Sequence, residues 1–144
     1  MASDQLLRTM FATTTTPIPS VREIPPDVIK AAREITADDF RLADRNQRYI
    51  ATDAVLPEDR GLPHRQLQIA TRSDKYVLLA YNAGGYGQGF CVLAFAITPE
   101  EKLAQPVLIA TLTDWRAPHE TVADLARAYE RGKLQEYRLP SLDF

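Results

Sequence analysis

Two segments of this chain, Tyr76–Tyr81 and Phe90–Ile97, are apolar or aromatic at every position. Both have the length of a strand, and successive side chains of a strand point to opposite faces. Val77, Leu79 and Tyr81 therefore oppose Tyr76, Leu78 and Ala80. In the same way Cys91, Leu93, Phe95 and Ile97 oppose Phe90, Val92, Ala94 and Ala96. A sheet built on these strands needs cover on both sides, because a bare face would leave several hundred Å² of apolar surface in water. The cover can come from an N-terminal arm, from the Leu134–Phe144 tail, from helices split across both faces, or from a second copy of the chain. A two-fold pair is the commonest closed homo-oligomer, so the expectation is a homodimer.

Charge supports a division into layers. Residues 20–66 carry seventeen charged side chains, whereas residues 67–113, an equal length, carry six. The first stretch reads as solvated helices and the second as a buried sheet. Residues 1–24 combine Thr13–Thr16 with Pro17 and Pro19, a pattern that favours extended backbone. They read as an extended or flexible arm, in which Leu6, Leu7, Met10 and Phe11 can still dock as one short helical turn, and residues 25–144 as one α+β domain.

Within that domain Pro26 suits the first turn of a helix. Val28, Ile29, Ala32 and Ile35 fall on one helical face. Thr36, with Asp39 at the capping-box position, predicts a second helix running to Leu56, with Phe40, Ala43, Gln47, Ile50 and Ala54 on its buried side. Strands are predicted over Leu67–Arg72, Tyr76–Tyr81, Phe90–Ile97 and Val107–Thr113. Their short connections give a four-stranded antiparallel meander. Pro118 opens a last helix with the apolar stripe Val122, Leu125, Ala126 and Tyr129, and Gly132 closes it. The expected architecture is therefore two helices before the sheet and one after, packed on one side of it.

The candidates for chemistry are few. His119-Glu120 begins like a zinc-protease helix, but the histidine required at i+4 is replaced by Ala123. Cys91 has no cysteine or histidine partner at metal-ligand spacing. No metal and no cofactor are expected. Asp114, Trp115, Arg116 and His119 cluster where a strand runs into a helix, and Asp114 there would orient His119 as a general base, with His64 as a further member. Gly84, Gly85, Gly87 and Gly89 are four of the six glycines. Their spacing is not that of a dinucleotide loop, and a strand rather than a helix follows. They describe a hairpin tip presenting Tyr86 and Gln88, which with Trp115 and Arg116 are the candidate binding residues.

The formal net charge is −2. Arg33, Arg41, Arg45 and Arg48 are interleaved with Glu34, Asp38, Asp39 and Asp44, so no cationic face is offered to nucleic acid. No stretch has the ~18 apolar residues of a membrane span. The chain reads as a non-catalytic binding module for another protein, of the inhibitor, adaptor or immunity type. The alternative is a small-molecule binding or hydrolytic enzyme using Asp114, His119 and His64. A cytoplasmic location is expected. A periplasmic or secreted one follows if Met1 stands ahead of a trimmed terminus.

Overall fold

Alternation along the central strands decides which helix lies on which face. The structure is a computed structural model that describes residues 3–52, 55–84, 89–113 and 120–136. In chain order the elements are α1 (Asp4–Ala12), β1 (Thr16–Pro17), α2 (Pro26–Thr36), β2 (Leu42–Ala43), β3 (Arg65–Arg72), β4 (Tyr76–Ala83), β5 (Gly89–Thr98), β6 (Leu103–Leu112), α3 (Val122–Glu130) and β7 (Leu134–Glu136). The expected meander is present as β3 to β6, all antiparallel. The sheet is larger than the four strands predicted. Its order is β1-β3-β4-β5-β6-β7, with β2 added in parallel to the start of β3. The added strands are two or three residues long, too short to leave a periodic signal.

The two faces separate as the alternation requires. Val77, Leu79, Tyr81, Leu93 and Phe95 join Val28, Ala31, Ala32 and Ile35 of α2 in one core cluster. Leu78, Ala80, Phe90, Val92 and Ala94 join Leu7 and Met10 of α1 and Leu125 and Ala128 of α3 in the other. The helices are thus split across both faces rather than gathered on one. The face that called for a second copy is covered by α1 and α3 of the same chain, which removes the argument for a homodimer.

Two expectations about the first half are corrected. The arm expected to be extended or flexible, with at most one short helical turn, contains the nine-residue α1, whose N-cap Ser3 accepts the Leu6 N–H at 3.1 Å. The tertiary contacts of Leu7 and Met10 supply what a helix of nine residues lacks by itself. Extended backbone follows in β1, and Ile18 donates its N–H to the Ala70 carbonyl at 2.8 Å.

Among the described residues, the helix expected from Thr36 does not form, and Ala54 of its expected buried side lies outside them. Pro26 opens α2 at its first turn as predicted, and Thr36 is the last residue of α2 rather than a cap for the next helix. Ala37 closes α2 in the left-handed region, at φ 56°. Asp38 Oδ1 then accepts the Phe40 N–H at 2.8 Å and also meets the Thr36 hydroxyl. This local side-chain to backbone bond competes with helix. Phe40 and Asn46 adopt φ 46° and 66°, and Leu42–Ala43 pair with β3 instead of forming a helical face.

The second half holds closer to expectation. Thr121 and Asp124 form a reciprocal capping box at the start of α3. Gly132 takes φ +69° just beyond the helix end. Pro118 lies outside the described residues. A latch joins α3 to α1: the Tyr129 hydroxyl donates to Asp4, Arg8 Nε donates to the same carboxylate at 2.8 Å, and Phe11 packs on the Tyr129 ring at 5.5 Å. Pro106, which cannot donate to a ladder, lies in β6 at a stretch that no described outer strand pairs. Among the described residues, no helix is long and apolar enough to cross a membrane.

Leu7 is 1% exposed. Truncating it to alanine removes a main anchor of α1, and we expect a loss of about 2–5 kcal/mol in urea unfolding. Arg8→Ala, on the solvent side of the same helix, should leave the midpoint nearly unchanged.

Candidate functional site

The end of the sheet where β3 begins and β4 finishes carries a concentration of charged groups. Arg65 opposes Ala83 in the β3–β4 ladder, and Leu42 of β2 lies beside Arg65 on the other side. The ladder continues one step further, the Gly84 N–H donating to the His64 carbonyl at 2.7 Å. The loop before β3 folds over this point, where Ile50 donates its N–H to the Pro63 carbonyl at 2.8 Å. A Cβ on Gly84 would lie 1.9 Å from the Ile50 carbonyl oxygen and 2.8 Å from Ala51 Cα. Glycine is needed at 84 for close approach of backbone to backbone.

These segments enclose an open cleft of about 360 Å³. It is lined by Asp38, Asp39, Arg41, Leu62, Pro63, His64, Arg65, Ala83 and Gly84. Its fixed element is Arg65. The guanidinium donates to both oxygens of Asp38, at 3.2 and 2.7 Å, and stacks 5.3 Å from the centroid of Phe40. Phe40 in turn meets Tyr81 edge-on at 5.4 Å. A bidentate carboxylate fork and a ring face together fix the plane of the guanidinium. Positive φ at a bulky residue such as Phe40 is strained, and it persists where surrounding contacts over-determine it. Here the Asp38 bond to the Phe40 N–H and the two ring contacts do so.

Burial works against ionisation of Asp38, but the Arg65 guanidinium, the Phe40 N–H and the Thr36 hydroxyl outweigh it and hold the carboxyl below its usual range. Arg65 is likewise opposed by burial and held charged by Asp38. Behind the pair lie Tyr81 and Cys91. Burial raises the Tyr81 phenol well above its ordinary value, and the nearby Cys91 adds to this. Burial also raises the Cys91 thiol, offset in part by Tyr81 and Arg65. Both groups are protonated at neutral pH, so Cys91 is a packed thiol rather than an activated one.

Of the residues singled out from the sequence, His64 lines the cleft. Tyr86 and Gln88 belong to the connection that starts at its edge and lie outside the described residues. So do Asp114, Trp115, Arg116 and His119. Asp38, Phe40 and Arg65 were not expected as a site. Their signal was an aspartate two residues before an aromatic, the spacing of a side chain bonding its own backbone, and it was hidden by the helical reading of the same stretch. A second hollow, also about 360 Å³, lies between α1 and α3 beside Arg8 and Tyr129. Comparison of the chain with family models, with curated proteins and with solved structures finds no match.

Because the folded Asp38 carboxyl titrates below its unfolded value, its contribution is complete above the ordinary aspartate range and lost as pH falls through the folded value. We expect the urea midpoint to drop on acidification below about pH 4. Asp38→Asn should flatten that acid limb and cost about 1 kcal/mol at neutral pH, a modest figure because Asp38 is partly exposed.

Proposed function

We propose that the chain is a non-catalytic protein-binding module of the inhibitor, adaptor or immunity type. Its recognition surface is the end of the sheet at which residues 84–89 join β4 to β5. The observation that carries this reading is the charged cleft at the base of that hairpin. The β4–β5 ladder runs to the pair Ala83 and Gly89, so the connection bearing Tyr86 and Gln88 begins beside Arg65, His64 and Asp38. Gly84, wedged under the Ile50–Ala51 backbone, fixes the hairpin base against the loop that forms the cleft wall. A fixed hairpin base lowers the ordering cost of recognition.

The titratable groups behind the cleft favour binding over proton transfer. Tyr81 and Cys91 are pushed upward and Asp38 downward, away from the neutral range that a general acid or base needs. A second reading, a small-molecule or hydrolytic site, is favoured by His64 in the cleft wall, with Asp114 and His119 as its other members. The partner in the first reading is another protein, and the cytoplasmic setting belongs to the same proposal.

Affinity capture from the source cells with three forms of the chain separates the readings. The wild type should retain a discrete partner, and the double variant Tyr86→Ala, Gln88→Ala should lose it while keeping its circular dichroism. The single variant His119→Ala should retain it. Equal capture by all three forms, or none by the wild type, contradicts the binding reading. Loss on His119 substitution alone points to the second one.

A further inference from the structure

The hydrogen-bonding inventory of the cleft is lopsided, although its formal charges are balanced. Asp38 is already engaged: its oxygens receive two N–H groups of Arg65 and the Phe40 N–H, and meet the Thr36 hydroxyl. An incoming cation would find that carboxylate occupied. The guanidinium groups are in the opposite condition, since each offers five N–H donors. Arg65 gives two of them to Asp38. Arg41 gives one to the Gly61 carbonyl at 2.6 Å, which ties it to the rim. His64 adds a ring N–H. On the acceptor side the remaining side-chain groups among the described lining residues are the Asp39 carboxylate and the second ring nitrogen of His64. Donors therefore exceed acceptors on the cleft lining, and the ligand group that meets such a surface is rich in acceptors and carries negative charge.

The remaining walls agree with that ligand. Ala83 and Gly84 bring almost no side chain to the floor, and Leu62 and Pro63 offer apolar surface to a short methylene stem. Arg65 is oriented before any ligand arrives, and its side chain is only 19% exposed. The contact is thus partly shielded from water, where a charge-assisted hydrogen bond is stronger. We infer that the cleft seats an acidic side chain of the partner protein, its carboxylate taken by Arg41, Arg65 and His64. This assignment rests on the binding reading above and names the chemistry of the partner at that site.

The test is a nuclear magnetic resonance titration of the intact chain, following the side-chain N–H signals of Arg41 and Arg65 and the His64 ring. The probes are the capped tripeptide Gly-Glu-Gly, its Gln and Lys analogues, and inorganic phosphate. The glutamate peptide should give saturable shifts at all three residues. The glutamine analogue should bind about tenfold more weakly or worse, and Arg41→Ala should weaken the glutamate peptide by about tenfold. Circular dichroism checks that this variant is folded, and Arg41→Lys should restore part of the affinity. Equal or tighter binding of the lysine analogue overturns the inference. So does phosphate binding as tightly as the glutamate peptide, which would make the cleft a phosphate site. Silence with every probe overturns it too. If the titration fails while Tyr86→Ala, Gln88→Ala still abolishes capture, only the acidic-partner assignment falls and the binding reading stands.

Discussion

A sheet that is apolar on both sides can exist in water only if both sides are covered, and this requirement organises the molecule. Burial of apolar surface is the dominant favourable contribution to folding, at about 25 cal/mol per Å². The cover is divided between α2 on one face and α1 with α3 on the other. Each helix is short, from nine to eleven residues, and helices of that length are marginal in isolation. Sheet and helices therefore stabilise one another, and neither layer is a scaffold for the other. The latch of Asp4, Arg8 and Tyr129 adds orientation to this packing, and its exposed charges contribute little energy of their own.

The same economy shapes the candidate site. One chain end of α2 must turn back toward β3, and the turn is held by Asp38, Phe40 and Arg65. Arg65 ties the loop after α2 to the first residue of β3, and through that strand to the base of the β4–β5 hairpin. Phe40 buries its ring against Tyr81 in the first core cluster while its backbone stays in the left-handed region. Core packing, loop conformation and the charged cleft are thus one connected arrangement. A change at Asp38 should be felt in all three, whereas a change at Arg41 on the rim should be felt in the cleft alone.

Much of the architecture was legible because it rests on strong periodicity. The four meander strands, the two-faced alternation of β4 and β5, Pro26 at the start of α2 and Gly132 beyond α3 follow directly from residue pattern. What escaped was decided by tertiary contact. Leu6, Leu7, Met10 and Phe11 allow one short helical turn but are too few to announce nine residues of helix beside four threonines, and α1 gains its stability from the sheet and α3. The stretch after Thr36 carries good helical spacing, yet the Asp38 side chain bonds the backbone and Arg65, twenty-seven residues away, completes the bond network. No local pattern contains that partner. The cleft was invisible for the same reason, since its walls come from three separate segments. His64 was singled out for its imidazole, and it lines the cleft together with Arg41 and Arg65.

The central claim is that a single chain covers both faces of its own sheet. It is tested most directly by isotope-filtered nuclear Overhauser spectroscopy on a mixture of labelled and unlabelled chains. The account predicts contacts from the Leu7 and Met10 methyl groups to Leu78, Val92 and Leu108, and from Val28 and Ile35 to Leu79 and Phe95, all within one labelled chain. Contacts to the Leu78–Val92 face that arise only between labelled and unlabelled chains would show that a second copy provides the cover, and would contradict it.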